Sequence, residues 1–159
     1  MMGLDRREFR LTTALEMLKS HYDYMIIDCA PSLGLLTINA LVASSQALVP
    51  VQCEYYALEG VAKLLQTIRL VQNGLNADLD VLGILLTMYD PRTSLNQMVV
   101  NNARFHFKEL VFKTVIPRNI RLAEAPSHGL PIILYDPKSR GAESYFNLAK
   151  EFKERVTAI

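Results

Sequence analysis

The sequence predicts an α/β fold in which helices flank a parallel sheet. Short apolar runs, typical of strands buried on both faces, alternate with longer amphipathic segments of helical spacing. Strand followed by helix repeats four times after an opening helix, which favours parallel strands joined by right-handed crossovers. The chain has 159 residues, 50% of them hydrophobic and 21% charged, so we expect a single domain over residues 1–159.

The strands are predicted from apolar runs that end in a polar residue or a turn signal. A central strand of a parallel sheet is covered on both faces, so its sequence is nearly continuous in apolar residues. The runs that fit are residues 22–28 (YDYMIID), 47–51 (ALVPV), 81–88 (VLGILLTM) and 111–116 (VFKTVI).

The helices are predicted from apolar residues that recur every three or four positions and from their end signals. Asn73 and Gly74 end the second crossover helix, Ser94 caps the third, and Pro126 and Gly129 stop the fourth. The predicted helices are an opening helix over residues 6–20, then 35–43, 58–73, 94–107 and 118–125, and a final helix over 139–156.

Composition argues against several classes of protein. The net charge of +1 is typical neither of a strongly basic nucleic-acid protein nor of an acidic tail. Cys29 and Cys53 are too few for a disulfide framework or a zinc site, and we expect both to be buried as small hydrophobic residues. Residues 1–10 lack the apolar core of a signal peptide, and no run approaches the ~18 apolar residues of a membrane span. We therefore expect a cytoplasmic protein that does not bind membranes.

Ligands of parallel sheets bind beyond the carboxyl ends of the strands. Asp28 follows four apolar residues, the form of a Walker B element, whose carboxylate holds magnesium, usually through water. The same pattern also fits an aspartate that only accepts backbone hydrogen bonds in its loop. Gln52 and Glu54 end the next strand, where they fit either a binding loop or simple helix capping.

The segment 116–129 offers a third candidate. Pro117 and Asn119 shape the turn between a strand and a helix, and an asparagine amide can both donate to and accept from a base edge. Arg118 and Arg121 are three residues apart and can share a helix face. The turn could therefore bind a base, or it could only cap a helix well.

Charge is concentrated between residues 92 and 121. This segment carries six basic residues against one acidic residue, a net charge of +5. Such a segment fits an anion- or DNA-binding surface, although a solvated helix face explains Arg104 and Lys108 equally well. A solvated face accounts less well for Arg92 and Arg121, which lie in or beside loops.

The phosphate-binding motif G-x-x-x-x-G-K-[ST] is absent from these 159 residues.

Four colinear blocks of the sequence resemble the C-terminal part of the ParA/Soj partitioning ATPases. The blocks are YDYMIIDCAPSLGLLTINAL, VPVQCEYYALEG, GILLTMYDPRTSLN and TVIPRNIRLAEAPSHGLPIILYDPKSRGAESYFNLAKEF. The resemblance implies a P-loop NTPase-like sheet of the deviant Walker A class, and we expect this chain to be a truncated form that lacks the N-terminal strands and the phosphate loop.

The resemblance also implies roles for individual residues in the intact protein. Asp28 corresponds to the Walker B acid that helps to hold magnesium, and Pro117 and Asn119 correspond to the turn that contacts the adenine. Arg92 and Arg121 correspond to residues that bind DNA without sequence specificity. The segment 52–56 corresponds to one near the nucleotide and the dimer face.

A partitioning cycle follows from the resemblance. ATP with magnesium drives dimerisation, the dimer binds nucleoid DNA, and a ParB-like partner stimulates hydrolysis. We expect this chain by itself to carry no catalytic residues, to bind no cofactor tightly and not to hydrolyse ATP, while its open sheet edges favour self-association. Two alternatives remain open: a non-catalytic DNA-binding or dimerisation module, and a MinD-like membrane-associated regulator.

Overall fold

A computed structural model describes residues 6–30, 32 and 34–157, and three of its strands form one parallel sheet in the order β1–β2–β3. Strand β1 is Gln46–Gln52, β2 is Asp80–Tyr89 and β3 is Val111–Pro117. These bounds agree closely with three of the four strands predicted from the sequence. The predicted α/β class, a parallel sheet with flanking helices, is confirmed.

Helices precede the sheet, connect its strands and follow it. The predicted opening helix over residues 6–20 is divided into a short α-helix and two flanking 3₁₀ turns, Arg7–Phe9 and Glu16–Leu18. The α-helices are α1 Arg10–Leu15, α2 Leu35–Ala43, α3 Ala57–Gly74, α4 Ser94–Phe107, α5 Ile120–Glu124, α6 Ile132–Tyr135 and α7 Arg140–Thr157. The one-turn helix α6 was not predicted, because four residues are too few to show a helical period.

The predicted strand over residues 22–28 is wrong, because the backbone there is irregular. A strand buried on both faces needs neighbours for its backbone groups and layers to cover its side chains. The described residues provide no strand paired with this run, and Ile26 is 87% exposed. Cys29, expected to be buried, is exposed as well, whereas Cys53 is buried as predicted. Pro31 and Leu33, which follow in the same sequence block, lie outside the described residues.

The chain divides into two compact units, the first made of residues 1–47 and 63–81 and the second of residues 48–62 and 82–159. In the first unit, asparagine side chains satisfy backbone groups at the ends of helices. The Asn76 amide donates to the carbonyls of Leu41, Val42 and Ser44, with N···O distances of 3.0, 3.1 and 2.7 Å. These bonds cap the C-terminus of α2. The single domain expected over residues 1–159 stays a prediction.

The second unit has a core formed between the sheet and α7. Its fully buried members are Leu82 and Leu85 of β2 and Phe112 and Ile116 of β3. Leucines, phenylalanine and valine from β1, α5 and α7 cover this cluster, namely Leu48, Leu122, Leu148, Phe152 and Val156. The strong amphipathic pattern of residues 139–156 therefore indicates how α7 packs on the sheet.

Two charged residues of α7 fasten the start of β3. The Arg155 guanidinium donates to the carbonyls of Leu82, Glu109 and Val111 at 3.2, 3.0 and 2.9 Å, and it lies 4.1 Å from the centre of the Phe112 ring. The Glu151 carboxylate accepts the amides of residues 113 and 114 at 2.7 and 2.8 Å. Because the register between β2 and β3 is irregular here, these amides would otherwise be left without a strand partner.

Gly83 lies directly beneath this anchor and has a φ of +155°. A Cβ at this position would lie 2.6 Å from the Leu110 carbonyl oxygen, 2.7 Å from the Phe112 ring and 2.9 Å from Arg155 Nη1. An alanine at this position must therefore displace the Leu110 carbonyl, the Phe112 ring and the Arg155 guanidinium together.

We expect Gly83→Ala to lower the free energy of unfolding by about 2–3 kcal/mol, the upper range for overpacking. Urea denaturation of the purified chain measures this change. Gly60→Ala is the matched control, because Gly60 lies within α3 with no neighbouring atom within 4 Å of the added Cβ. There the same substitution should stabilise by about 1 kcal/mol through helix propensity. Equal effects at the two sites would contradict the packing explanation.

Candidate functional site

The loops that follow the three strands are joined by hydrogen bonds at the carboxyl edge of the sheet. The Cys53 amide donates to the Thr87 carbonyl at 2.9 Å, and the Thr87 hydroxyl donates to the Val51 carbonyl at 3.3 Å. On the other side of β2, the Arg118 amide donates to the Tyr89 carbonyl at 2.8 Å. These bonds hold the three strand ends together, so the predicted loops after β1, β2 and β3 belong to one edge.

An irregularity in β2 lies immediately before its loop. Met88 has a φ of +55°, and the register between β2 and β3 shifts between Leu86 and Tyr89. A side chain other than glycine rarely occupies this left-handed region, and bulges near strand ends often redirect the residues that follow them. Here the residues that follow carry the polar groups of the candidate site.

Asn96, in the first turn of α4, links two of these loops. Its Oδ1 accepts the Asp90 amide at 2.6 Å, and its Nδ2 donates to the Cys53 carbonyl at 2.7 Å. Both ends of the amide are therefore in use. Sequence patterns do not reveal Asn96, because an asparagine in the first turn of a helix matches no motif and its partner Cys53 is 43 residues away.

Arg92 extends from the loop after β2 and is held by Asp90. Its Nε and Nη2 donate to the Asp90 carboxylate at 2.9 and 2.7 Å, and its backbone amide donates to the same group at 3.0 Å. The hydrogen bonds from the Arg92 side chain, followed by the one from its backbone, lower the pKa of Asp90 to about 2. The Arg92 side chain is nevertheless 85% exposed, so it remains open to solutes.

Asn119 and Arg121 occupy the loop after β3, next to Pro117, which ends the strand. The Asn119 Oδ1 accepts the Arg121 amide at 2.8 Å and so caps α5. The Arg121 guanidinium pairs with Glu124 at 2.9 Å and with Asp136 at 3.4 Å. The capping alternative for Asn119 is thus confirmed. Its Nδ2 makes no hydrogen bond among the described residues and stays available to a ligand.

The segment 52–56 follows β1 and exposes two tyrosines. Tyr55 and Tyr56 are 64% and 75% exposed, and their rings pack edge to face with centres 5.1 Å apart. Cys53 is the buried member of this segment, and burial raises the pKa of its thiol to about 11. It is therefore a neutral anchor of the loop at physiological pH.

Asp28 lies in the first unit, in the irregular segment where a strand was expected, and it is exposed. No cluster of three histidine, cysteine, aspartate or glutamate residues occurs within ranges 6–30, 32 and 34–157. Magnesium often takes only one or two protein carboxylates, with water and phosphate oxygens as its other ligands. An exposed single carboxylate such as Asp28 fits that donor set.

The structure brings Arg92, Pro117, Asn119 and Arg121 to loops of the second unit and leaves Asp28 in the first. Both predicted DNA-binding arginines have carboxylate partners from just outside the basic segment, so its charge of +5 is partly neutralised. None of the described helices is long and apolar enough to cross a bilayer.

We expect the Asp90 carboxyl to titrate near pH 2, below its ordinary value of 3.8. Because the folded-state pKa is lowered, the ion pair stabilises the protein fully above about pH 4 and is lost as the pH falls through 2. The ¹³Cγ shift of Asp90 measured by NMR against pH tests this. Arg92→Gln should move the midpoint back towards 3.8, and a midpoint near 4 in the unmodified chain would show that the pair does not form.

Comparison with known proteins identifies relatives of the chain. A family model described as "AAA domain" matches residues 1–81. The sporulation initiation inhibitor protein Soj of Bacillus subtilis (strain 168) is 65% identical over 145 residues, covering 91% of this chain and 57% of the relative. The chromosome partitioning protein ParA of Myxococcus xanthus (strain DK1622) is 56% identical over 157 residues, covering 99% of this chain and 56% of the relative.

A solved structure has the same fold. Cobyrinic acid a,c-diamide synthase from Mycobacterium smegmatis with bound ADP and magnesium superposes with a TM-score of 0.74 at 39% identity, covering 91% of this chain and 52% of that one. The structural neighbours are P-loop NTPases, as the sequence resemblance implied. The chain spans little more than half the length of the curated relatives described above. On these matches, the chain belongs to the AAA domain family over residues 1–81 and, as a whole, to the ParA/Soj family of chromosome-partitioning proteins.

Proposed function

We propose that this chain serves in a ParA-type ATPase that partitions chromosomes or plasmids. In that protein, ATP with magnesium drives dimerisation, the dimer binds DNA without sequence specificity, and a ParB-like partner stimulates hydrolysis. The observation that carries the proposal is the joined edge of the sheet, where the loop with Arg92 is fastened to the loop with Asn119 and Arg121 through the Arg118–Tyr89 hydrogen bond. A base-recognition group and two exposed cations thus come from adjacent loops.

Asn119 supplies the base-recognition part of the proposal. Its oxygen is engaged in capping α5, so the free Nδ2 would donate to an acceptor nitrogen on the adenine edge. Pro117 fixes the backbone of the turn in front of it. Asp28 would hold magnesium through water, as its exposed carboxylate permits. The relative that carries ADP and magnesium supports this assignment of ligands.

Asn119, Pro117 and Asp28 account for the base and the magnesium ion of the nucleotide, but not for its triphosphate. Most of the binding energy of a triphosphate comes from a glycine-rich loop and its lysine, and that motif does not occur in the 159 residues. We therefore propose that this chain by itself binds nucleotide weakly and does not hydrolyse ATP. Catalysis would belong to the protein that includes such a loop.

We expect ATP with magnesium to bind the purified chain no more tightly than adenosine does, and phosphate release to stay at background. Isothermal titration calorimetry with both ligands measures the difference, because only the triphosphate distinguishes them. Asn119→Ala should weaken both to the same extent. A micromolar affinity for ATP, or an ATP affinity well above that of adenosine, would contradict the proposal for this chain.

Arg92 and Arg121 supply the DNA-binding part of the proposal. Each guanidinium is exposed, at 85% and 51%, and each is already oriented by a carboxylate. A DNA phosphate would bind the sides of the guanidinium that the carboxylates leave open. The same surface supports the alternative function, a DNA-binding module that needs no nucleotide, and the two differ in whether this chain binds DNA without ATP.

We expect Arg92→Ala and Arg121→Ala each to weaken binding of a random-sequence duplex and to reduce the slope of log affinity against log salt by about 1. Fluorescence anisotropy across a salt series measures both quantities. Lys150→Ala is the matched control, because Lys150 is a cation exposed on α7, away from the strand-end loops. Binding that survives without ATP would favour the nucleotide-independent module. Equal losses from all three variants would show that only net charge matters.

We further propose that the chain associates with a second copy of itself. β1 has a strand on only one side among the described residues, and an open strand edge readily pairs with another chain. Pro50 within β1 removes one amide and so weakens any such pairing, which favours reversible association. Binding to DNA would place the protein on the nucleoid, within the cytoplasm.

A further inference from the structure

A continuous series of hydrogen bonds leads from the loop after β1 to the Arg92 guanidinium. The Cys53 carbonyl accepts from Asn96 Nδ2, and Asn96 Oδ1 accepts from the Asp90 amide. The Asp90 carboxylate then accepts from Arg92 through Nε and Nη2. The hydrogen bonds of Asn96 are short, at 2.6 and 2.7 Å, so its side-chain amide holds the two loops closely together.

Hydrogen bonds within the loop from Asp90 to Thr93 hold it together, so a displacement of Asp90 is passed on to Arg92. The Thr93 amide and hydroxyl both donate to the Asp90 carbonyl, at 3.2 and 3.1 Å. The Arg92 amide donates to the Asp90 carboxylate at 3.0 Å. Asp90 is thus fixed through its amide, carbonyl and carboxylate, and a movement of Asn96 must move the whole turn.

We infer that Asn96 is a positioning residue for Arg92, and that it makes the direction of this guanidinium depend on the loop 52–56. The inference rests on the proposed function, in which Arg92 binds a DNA phosphate. Asp90 occupies Nε and Nη2, whereas Nη1 makes no hydrogen bond among the described residues and is left for a phosphate. With Asn96 in place, the loop after β1 and the DNA-binding arginine move together.

Arg121 provides an internal comparison, because its anchor is separate. It is held by Glu124 and Asp136, and its backbone amide is held by Asn119. None of these bonds passes through Asn96. Loss of the asparagine should therefore affect Arg92 and spare Arg121, which a general loss of stability would not do.

The first experiment is a pair of double-mutant cycles read by DNA binding of the full chain at low salt. We expect Asn96→Ala to weaken binding at least about threefold and to have no further effect when Arg92 is already alanine. In the Arg121→Ala background it should keep its full effect. Asn101→Ala, on the exposed face of the same helix, is the control and should change nothing. Additivity with Arg92→Ala would overturn the inference.

The second experiment reads the position of Arg92 without DNA. In ¹H–¹⁵N NMR spectra, we expect the Arg92 Nε–H resonance to be protected from solvent exchange in the unmodified chain and in Asn101→Ala, and to lose protection in Asn96→Ala. Thr87→Val removes a hydroxyl hydrogen bond at the same sheet edge and serves as the control for general destabilisation. It should leave the Arg92 resonance protected.

The two experiments separate the inference from the proposed function. If the chain fails to bind DNA while the Arg92 resonance responds to Asn96→Ala, the positioning role stands and the DNA-binding role of this chain fails. If the resonance does not respond to Asn96→Ala, or responds equally to Thr87→Val, the positioning role is overturned regardless of DNA binding.

Discussion

The second unit depends on one half-buried cation, Arg155, which donates hydrogen bonds to three carbonyl groups. Arg155 reaches across from α7 and binds the backbone at the start of β2, in the turn before β3 and at the start of β3. Without it, the carbonyls of Leu82 and Val111, whose hydrogen bonds are partly buried, would lose this partner, which is costly in free energy. The anchor holds the amino ends of β2 and β3 together although the register between the two strands shifts further along.

The fold was predictable from the sequence where local pattern decides structure. Five of the six predicted helices and three strands have their expected bounds to within a few residues, because helical spacing and caps act between near neighbours. The run at residues 22–28 has an equally good strand pattern, yet it forms no strand. Its apolar residues need a paired neighbour, and pairing is a property of distant segments that no local pattern contains.

The sequence predicts the residue types of the candidate site and their positions at strand ends, but not which residues they contact. Asn119, Arg92 and Arg121 could be singled out because they lie in a strand-end turn or in the basic segment and match residues of the ParA/Soj family. Asn96 could not, since its role comes from bonds to the backbone of Asp90 and Cys53, and any residue type can supply backbone groups. The sequence likewise does not show which carboxylates pair with the two arginines, because the net charge of a segment does not say which charged groups are in contact.

Asp90 keeps its charge throughout the range of acidity that cells experience, because its pKa is about 2. A phosphate that bound Arg92 would therefore join an anion that is already in place, on the side of the guanidinium that Asp90 leaves open. The nearby negative charge of Asp90 would reduce the attraction, so each contact of this kind would release little energy. A protein that held nucleic acid through such contacts would bind it weakly at many points and could release it without a large barrier.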